Sequence, residues 1–140
     1  GSEMCIRDRH VDAEVLVSLI SRGVVPVMAP LTHDGEGNML NTNADTIAGE
    51  TAKALAEAFD VTLIYCFEKK GVLRDAEDED SVIPVITPDL FKKYVDEGVI
   101  QGGMIPKLEN SFSAVEAGVS QVVITLASAI DGKSGTIIKK

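Results

Sequence analysis

Val61-Thr62-Leu63-Ile64-Tyr65-Cys66 is a nearly unbroken β-rich apolar run, and its reading decides the fold. Strands written as continuous apolar runs, without polar alternation, belong to mostly parallel sheets covered on both faces. Gln121 to Leu126 repeats the pattern and Gly135 to Lys139 can add a last strand. The residues before and between these runs carry the helical period instead. Asn43 caps a helix with its apolar face on positions 44, 47, 48, 51, 55, 58 and 59. Thr87-Pro88-Asp89 reads as N-cap, N1 and N2 of a helix through Glu97, stopped by Gly98. Gln101-Gly102-Gly103 opens another, with apolar positions at 104, 105, 108, 112 and 115. Pro106 is tolerated early in that helix, where amides lack intrahelical partners.

Upstream, Val11, Val15, Leu16, Leu19 and Ile20 predict a helix ending at Gly23. Val24 to Ala29 predicts a short strand, with Pro26 favouring an edge or irregular position. His33-Asp34-Gly35-Glu36-Gly37-Asn38 is a turn signal between Leu31 and Met39-Leu40, hence a β-hairpin. Helices alternating with apolar strands predict an α/β chain, a three-layer αβα sandwich around a mostly parallel sheet. Gly1 to Arg9 lacks either period and begins with Gly-Ser, a common cloning remnant; it is set aside as a leader.

Composition narrows the function classes. The 140 residues are 45% hydrophobic, which excludes a disordered or fibrous chain. With 13 Lys and Arg against 22 Asp and Glu, the net charge of −9 disfavours nucleic acid and anionic membranes as partners. Cys5 and Cys66 are too few for a disulfide framework, and no run of apolar residues is long enough to span a bilayer. A reducing cytoplasm is the expected home, with Cys66 a buried structural thiol. His10 and His33 stand alone, without metal-ligand spacing. The acidic run Glu77-Asp78-Glu79-Asp80 reads as a solvated loop tip.

In such sheets ligands gather beyond the carboxyl ends of the strands, beside helix N-termini. Asn41 to Asp45, Phe67 to Leu73 and Val99 to Lys107 fit that placement. No GxxxxGK[ST] loop or GxGxxG fingerprint occurs. Gly102-Gly103 before a helix is either an ordinary turn or a phosphate cradle completed by Lys107. Asn41-Thr42-Asn43-Ala44-Asp45 is richer in polar groups than a cap requires, and serves as a hairpin end or a ligand site. Lys69, Lys70 and Arg74 form a basic cluster or a solvated loop. Asp45 shares a helix flank with Gly49, Ala52 and Ala56, and Lys107 one with Ser111, Ala114 and Gly118. Small side chains on both flanks permit close packing.

Leu40-Asn41-Thr42-Asn43-Ala44-Asp45 resembles the N-x-N-A-D motif of acetylglutamate kinases, within the amino acid kinase superfamily. Gly71-Val72-Leu73 is similar to that family's nucleotide loop, and Gly102-Gly103-Met104-Ile105-Pro106-Lys107 to its G-G-M-x-x-K helix start. The resemblance runs from about residue 11 to the end. It implies that residues 10–58 close a substrate-binding half and 59–140 form a nucleotide-binding half. It further implies ATP, with Mg²⁺ riding on the phosphates, and N-acetyl- or N-succinyl-L-glutamate as acceptor in arginine synthesis. Asn41 and Asn43 would bind the acylated glutamate, Asp45 would orient catalytic lysines, and Lys107 would stabilise the phosphoryl group in transit. Glu68, Lys69, Lys70, Gly71, Val72, Leu73, Val99, Ile100 and Gln101 would line the nucleotide, although Phe67-Glu68-Lys69-Lys70 departs from the family's hydroxyl residue, Asp and turn.

Family members are about twice this length, and their first half supplies a glycine-rich phosphate loop, a second catalytic lysine and an arginine for the substrate. The resemblance therefore predicts little activity for this stretch alone, apolar surface where further strands would pair, and a homo-oligomer at full length. The other readings are a carbamate, aspartate or uridylate kinase, and a non-catalytic nucleotide-binding module.

Overall fold

The computed structural model describes residues 10–131 and 134–140; Gly1 to Arg9, expected to be a leader, lie outside them. The elements, in order, are α1 (Ala13–Ser21), β1 (Leu31–His33), β2 (Met39–Asn41), α2 (Ala44–Leu55), β3 (Thr62–Phe67), β4 (Val85–Ile86), α3 (Pro88–Asp96), α4 (Met104–Glu116), β5 (Gln121–Leu126) and β6 (Thr136–Ile138). The sheet order is β3-β5-β6-β4. β3 runs parallel to β5 with Tyr65 opposite Ile124, and β4 parallel to β6, while β5 and β6 are antiparallel. The class is thus α/β with a mostly parallel sheet.

Local chemistry sets the helix ends where the sequence puts them. Asn43 Oδ1 accepts from the amides of Asp45 and Thr46 at 2.9 and 3.3 Å, starting α2. Thr87 Oγ1 accepts from Leu90 N at 3.5 Å with Pro88 behind it, starting α3. Gly98 ends that helix at φ +70°, a backbone conformation that costs a side chain free energy. α4 starts on Gly103 with no side-chain cap.

The core forms where α2 and α4 pack on each other and on the sheet. Leu63, Tyr65, Val122, Ile124 and Ile138 meet Ala52, Leu108, Ala114 and Val115 there. α3 joins through Tyr94 and through Phe91, whose ring lies 5.4 Å from that of Phe112 on α4.

Two sequence expectations fail, each for a nonlocal reason. Val24 to Ala29 forms no strand, since no described backbone lies alongside to pair with it, and Val25 and Val27 are 82% and 94% exposed. α1 forms as predicted; its main packing partner is α2, none of its residues is buried, and Val15 faces solvent. Cys66 is exposed, not buried. β3 is one of the two edge strands, and Cys66 points to the opposite face from its buried neighbours Leu63 and Tyr65. An open apolar groove of about 350 Å³ separates Pro26, Met28 and Pro30 from α2 and β3.

Candidate functional site

The β1–β2 hairpin fixes the strand end that feeds α2. Asp34 Oδ1 accepts from the amides of Glu36 and Asn38, and its Oδ2 from Asn38 Nδ2 at 2.6 Å. These hydrogen bonds, chiefly that from the Asn38 side chain, hold the Asp34 carboxyl below the usual range. At the other end Thr42 N donates to Pro30 O at 2.9 Å, and Thr32 and Thr42 share a hydroxyl bond of 2.7 Å. Thr42 is thereby buried while Asn41 and Asn43 on either side remain exposed. The Asn43 oxygen is committed to capping α2.

Asp45, in the first turn of α2, and Lys107, in the first turn of α4, meet across the two helices. Lys107 Nζ lies 3.3 Å from Asp45 Oδ2, with the lysine side chain 19% and the aspartate side chain 44% exposed. The contact sits above β3, where Tyr65 Oη donates to the backbone oxygen of Asp45 at 3.1 Å. Burial, and after it the carboxylates of Asp45 and Glu50, pushes the Tyr65 hydroxyl up to about 12. Lys107 Nζ also stands 5.5 Å from the centre of the Tyr65 ring and 5.2 Å from that of Phe67. Sequence reasoning took Tyr65 only as a strand residue and Phe67 as the start of the loop after the strand, which in fact extends through Phe67. Their spacing of two places them on one face of β3, the signal that could have found them.

The Gly102-Gly103 turn is less open than a phosphate cradle requires. Met104 N donates to Gln101 O at 3.3 Å and Ile105 N to Gly102 O at 3.2 Å, which takes two of the amides at this helix end. Lys107 is then the principal positive group there.

The loop after β3 is held by Thr136. Its hydroxyl accepts from Val72 N at 2.8 Å and donates to Ile83 O at 2.7 Å. Gly71 lies so close that a Cβ would come within 2.8 Å of Thr136 Oγ1 and 3.0 Å of Val82 Cγ1. Val72 and Ile100 are buried in the core, whereas Glu68, Lys70 and Gln101 are exposed and Lys69, Leu73 and Val99 half-buried. Tyr94 joins the two segments: its hydroxyl accepts from Arg74 Nη2 at 3.0 Å, and its backbone oxygen accepts from Val99 N and Ile100 N. The basic cluster is dispersed, with Lys69 3.9 Å from Glu79, Lys70 3.2 Å from Asp80, and Arg74 over the Tyr94 ring. The acidic run is exposed, as its composition predicts. No group of three or more His, Cys, Asp or Glu among the described residues could hold a metal ion, and no described helix is long and apolar enough to cross a membrane.

Two helix N-termini thus bring an ammonium and a carboxylate together over the carboxyl end of β3, which runs parallel to β5. The profile of the Amino acid kinase family matches residues 3–126. The chain belongs to the amino acid kinase family. It is 78% identical over 130 residues to the acetylglutamate kinase of Phocaeicola vulgatus, covering 93% of this chain and 51% of that protein. It is 75% identical over 130 residues to the acetylglutamate kinase of Bacteroides thetaiotaomicron, again with 93% and 51% covered. The chain thus spans about half the length of the curated relatives it matches. Among solved structures it is similar to smu.665 from Streptococcus mutans UA159, with TM-score 0.73, 36% identity, and 94% of this chain and 49% of that one covered. Carbamate kinase from Giardia lamblia bound to AMP-PNP matches with TM-score 0.65 at 20% identity, covering 93% of this chain and 45% of that one, a likeness of fold. The resemblance read from three motifs is thereby shown at the level of the family.

Proposed function

We propose that this chain carries part of the active site of an acetylglutamate kinase, which transfers the γ-phosphoryl group of ATP to the side-chain carboxylate of N-acetyl-L-glutamate. The observation that carries the reading is the 3.3 Å contact between Lys107 Nζ and Asp45 Oδ2, made by residues far apart in the chain. A carboxylate oxygen attacks phosphorus, the bond from phosphorus to the bridging oxygen breaks, and its electron pair leaves with ADP. Such transfers depend on positioning and on compensating charge spread over the phosphoryl oxygens. Lys107 supplies positive charge at that point, and Asp45 keeps the ammonium aimed.

Asn41 and Asn43 present amides to the acyl-glutamate. Glu68, Lys69, Lys70, Gly71, Leu73, Val99 and Gln101 face the nucleotide, while Val72 and Ile100 support their neighbours from the core. Residues 10–58 then complete a substrate-binding half and 59–140 a nucleotide-binding half. Mg²⁺, carried on the phosphates, neutralises their charge. The names of the relatives at 75% to 78% identity favour glutamate over carbamate as acceptor. The cytoplasm and a homo-oligomer at full length complete the reading.

A coupled assay of ADP release tests it, run on this chain alone and on the chain co-expressed with an N-terminal half matching its relatives. Little turnover is expected from the chain alone and clear turnover from the pair, with N-acetyl- and N-succinyl-glutamate compared as acceptors. Lys107→Ala lowers kcat about 10² to 10³-fold in the pair, the range for losing a donor aimed at developing charge. Unchanged kcat in that variant removes Lys107 from the mechanism.

A further inference from the structure

A contact at 3.3 Å to a carboxylate that is 44% exposed is a weak hold on a long, flexible side chain. Exposed ion pairs contribute little, because water and salt screen them and the side chains lose rotamer freedom. Lys107 is nonetheless 19% exposed, so something besides Asp45 covers it. Two aromatic rings do. The centres of Tyr65 and Phe67 lie 5.5 and 5.2 Å from Nζ, inside the ~6 Å range over which the negative face of a ring attracts a cation.

We propose that Tyr65 and Phe67 form an aromatic cradle that positions the Lys107 ammonium beside Asp45 and leaves its remaining donors facing the open end of the sheet. Tyr65 is the fixed wall. Its side chain is 4% exposed, its hydroxyl is tied to the Asp45 backbone at 3.1 Å, and a Cβ on Gly49 would lie 3.3 Å from that hydroxyl. One residue therefore fixes both the ring beneath the cation and the turn that carries the anion. Phe67 is the second wall, half-buried at the last position of β3, where the strand turns into the loop. An aliphatic side chain at 67 would cover Lys107 without offering a negative ring face. Both are positioning residues, since they act through Lys107. That this placement serves a phosphoryl oxygen rests on the kinase reading; the cradle itself does not.

The test follows Lys107 directly, in the chain labelled with ¹³C-lysine and with its signal assigned by loss in Lys107→Arg. Ring currents from two faces move the Lys107 Hε protons upfield of every other lysine and of their position in the urea-unfolded chain. Phe67→Leu moves the signal back toward the others, Phe67→Tyr keeps it upfield, and Tyr65→Phe, which retains the ring, does the same. A Lys107 signal that lies among the other lysines in the unaltered chain overturns the cradle, and this measurement needs no variant at positions 65 or 67 to fold.

Mg-AMP-PNP titration then separates the two ideas. Phe67→Leu weakens binding about tenfold and Phe67→Tyr by less than about twofold, in keeping with loss or retention of one desolvated cation–ring contact. If Phe67→Leu releases the signal but leaves affinity unchanged, the positioning role for the phosphates is overturned. No binding by the unaltered chain, with Lys107 still upfield, counts against the nucleotide site and leaves the cradle standing.

Discussion

From His10 to Asn41 no residue is buried, whereas every buried side chain of the described residues lies between Thr42 and Ile138. The first stretch is not short of apolar residues. Val15, Val24, Val25, Val27, Met28, Leu31 and Met39 all lie exposed there, against Ile130 alone among the large apolar residues described in the rest. The difference lies in partners: β3, β5, α2 and α4 find one another within the chain, while the 24–29 segment finds no backbone to pair with. An apolar pattern states what a residue is suited to, and only the surrounding structure decides whether it is used.

The sharpest way to break that contrast is to remove one apolar group from each region. Leu108 is fully buried on the face of α4 that meets the sheet. Leu108→Ala costs about 2 to 5 kcal/mol, the transfer term plus the cavity left behind. Val27→Ala, at a residue 94% exposed, changes stability by less than about 0.5 kcal/mol. Urea denaturation of the two variants reads both values. Equal losses would mean that the 24–29 segment is packed in solution and that the contrast is false.

Glycines offer the next largest effect. Gly135 has φ +105°, and a Cβ there would run into the carbonyl oxygen of Ile124 and sit 2.8 Å from Thr125 Cβ. Gly37, in the hairpin turn, has φ +93° with nothing within 4 Å. Gly135→Ala therefore combines left-handed strain with displacement of β5, on the order of 2 to 4 kcal/mol, while Gly37→Ala bears the strain alone, about 1 kcal/mol. Similar melting losses in both variants would show that the β5–β6 junction yields more easily than its contacts imply.

A smaller effect concerns the exposed segment itself. Val25→Lys with Val27→Lys leaves the urea midpoint unchanged, since neither side chain has neighbours to lose, and lowers self-association measured by light scattering. A drop in the midpoint would place these valines against a surface of the same chain.

The same contrast explains what could be read in advance. Caps and stops are local, so Asn43, Thr87-Pro88 and Gly98 announce α2 and α3 within a few residues, and the hairpin announces itself in Asp34 to Asn38. The meeting of Asp45 with Lys107 was legible only through the order of the motifs, because no spacing rule joins residues on separate helices. Strand pairing at 24–29 and the exposure of Cys66 depend on which strand lies at the sheet edge, a property of the assembled sheet. Tyr65 was legible as a strand residue and Phe67 only as the residue that follows the strand; that both lie on one face, and what that face looks at, is settled by the extended strand and by α4.

Tyr65 supplies the finest test, because it reports whether the site region is as dry as its packing indicates. Its hydroxyl is pushed from 10.0 to about 12, first by burial and then by the carboxylates of Asp45 and Glu50. The folded chain therefore keeps this proton over a range where the unfolded chain has lost it. The sign follows: the contribution is fully present below about 10 and is lost as pH rises toward about 12. Tyrosinate absorbance of the unaltered chain minus that of Tyr65→Phe should rise near the upper value. Tyr65→Phe should also flatten the decline of the urea midpoint across the interval. A difference spectrum that rises near 10 would mean that water reaches the ring freely. In that case the wall beneath Lys107 is open, and the site is held no more tightly than the segment before it.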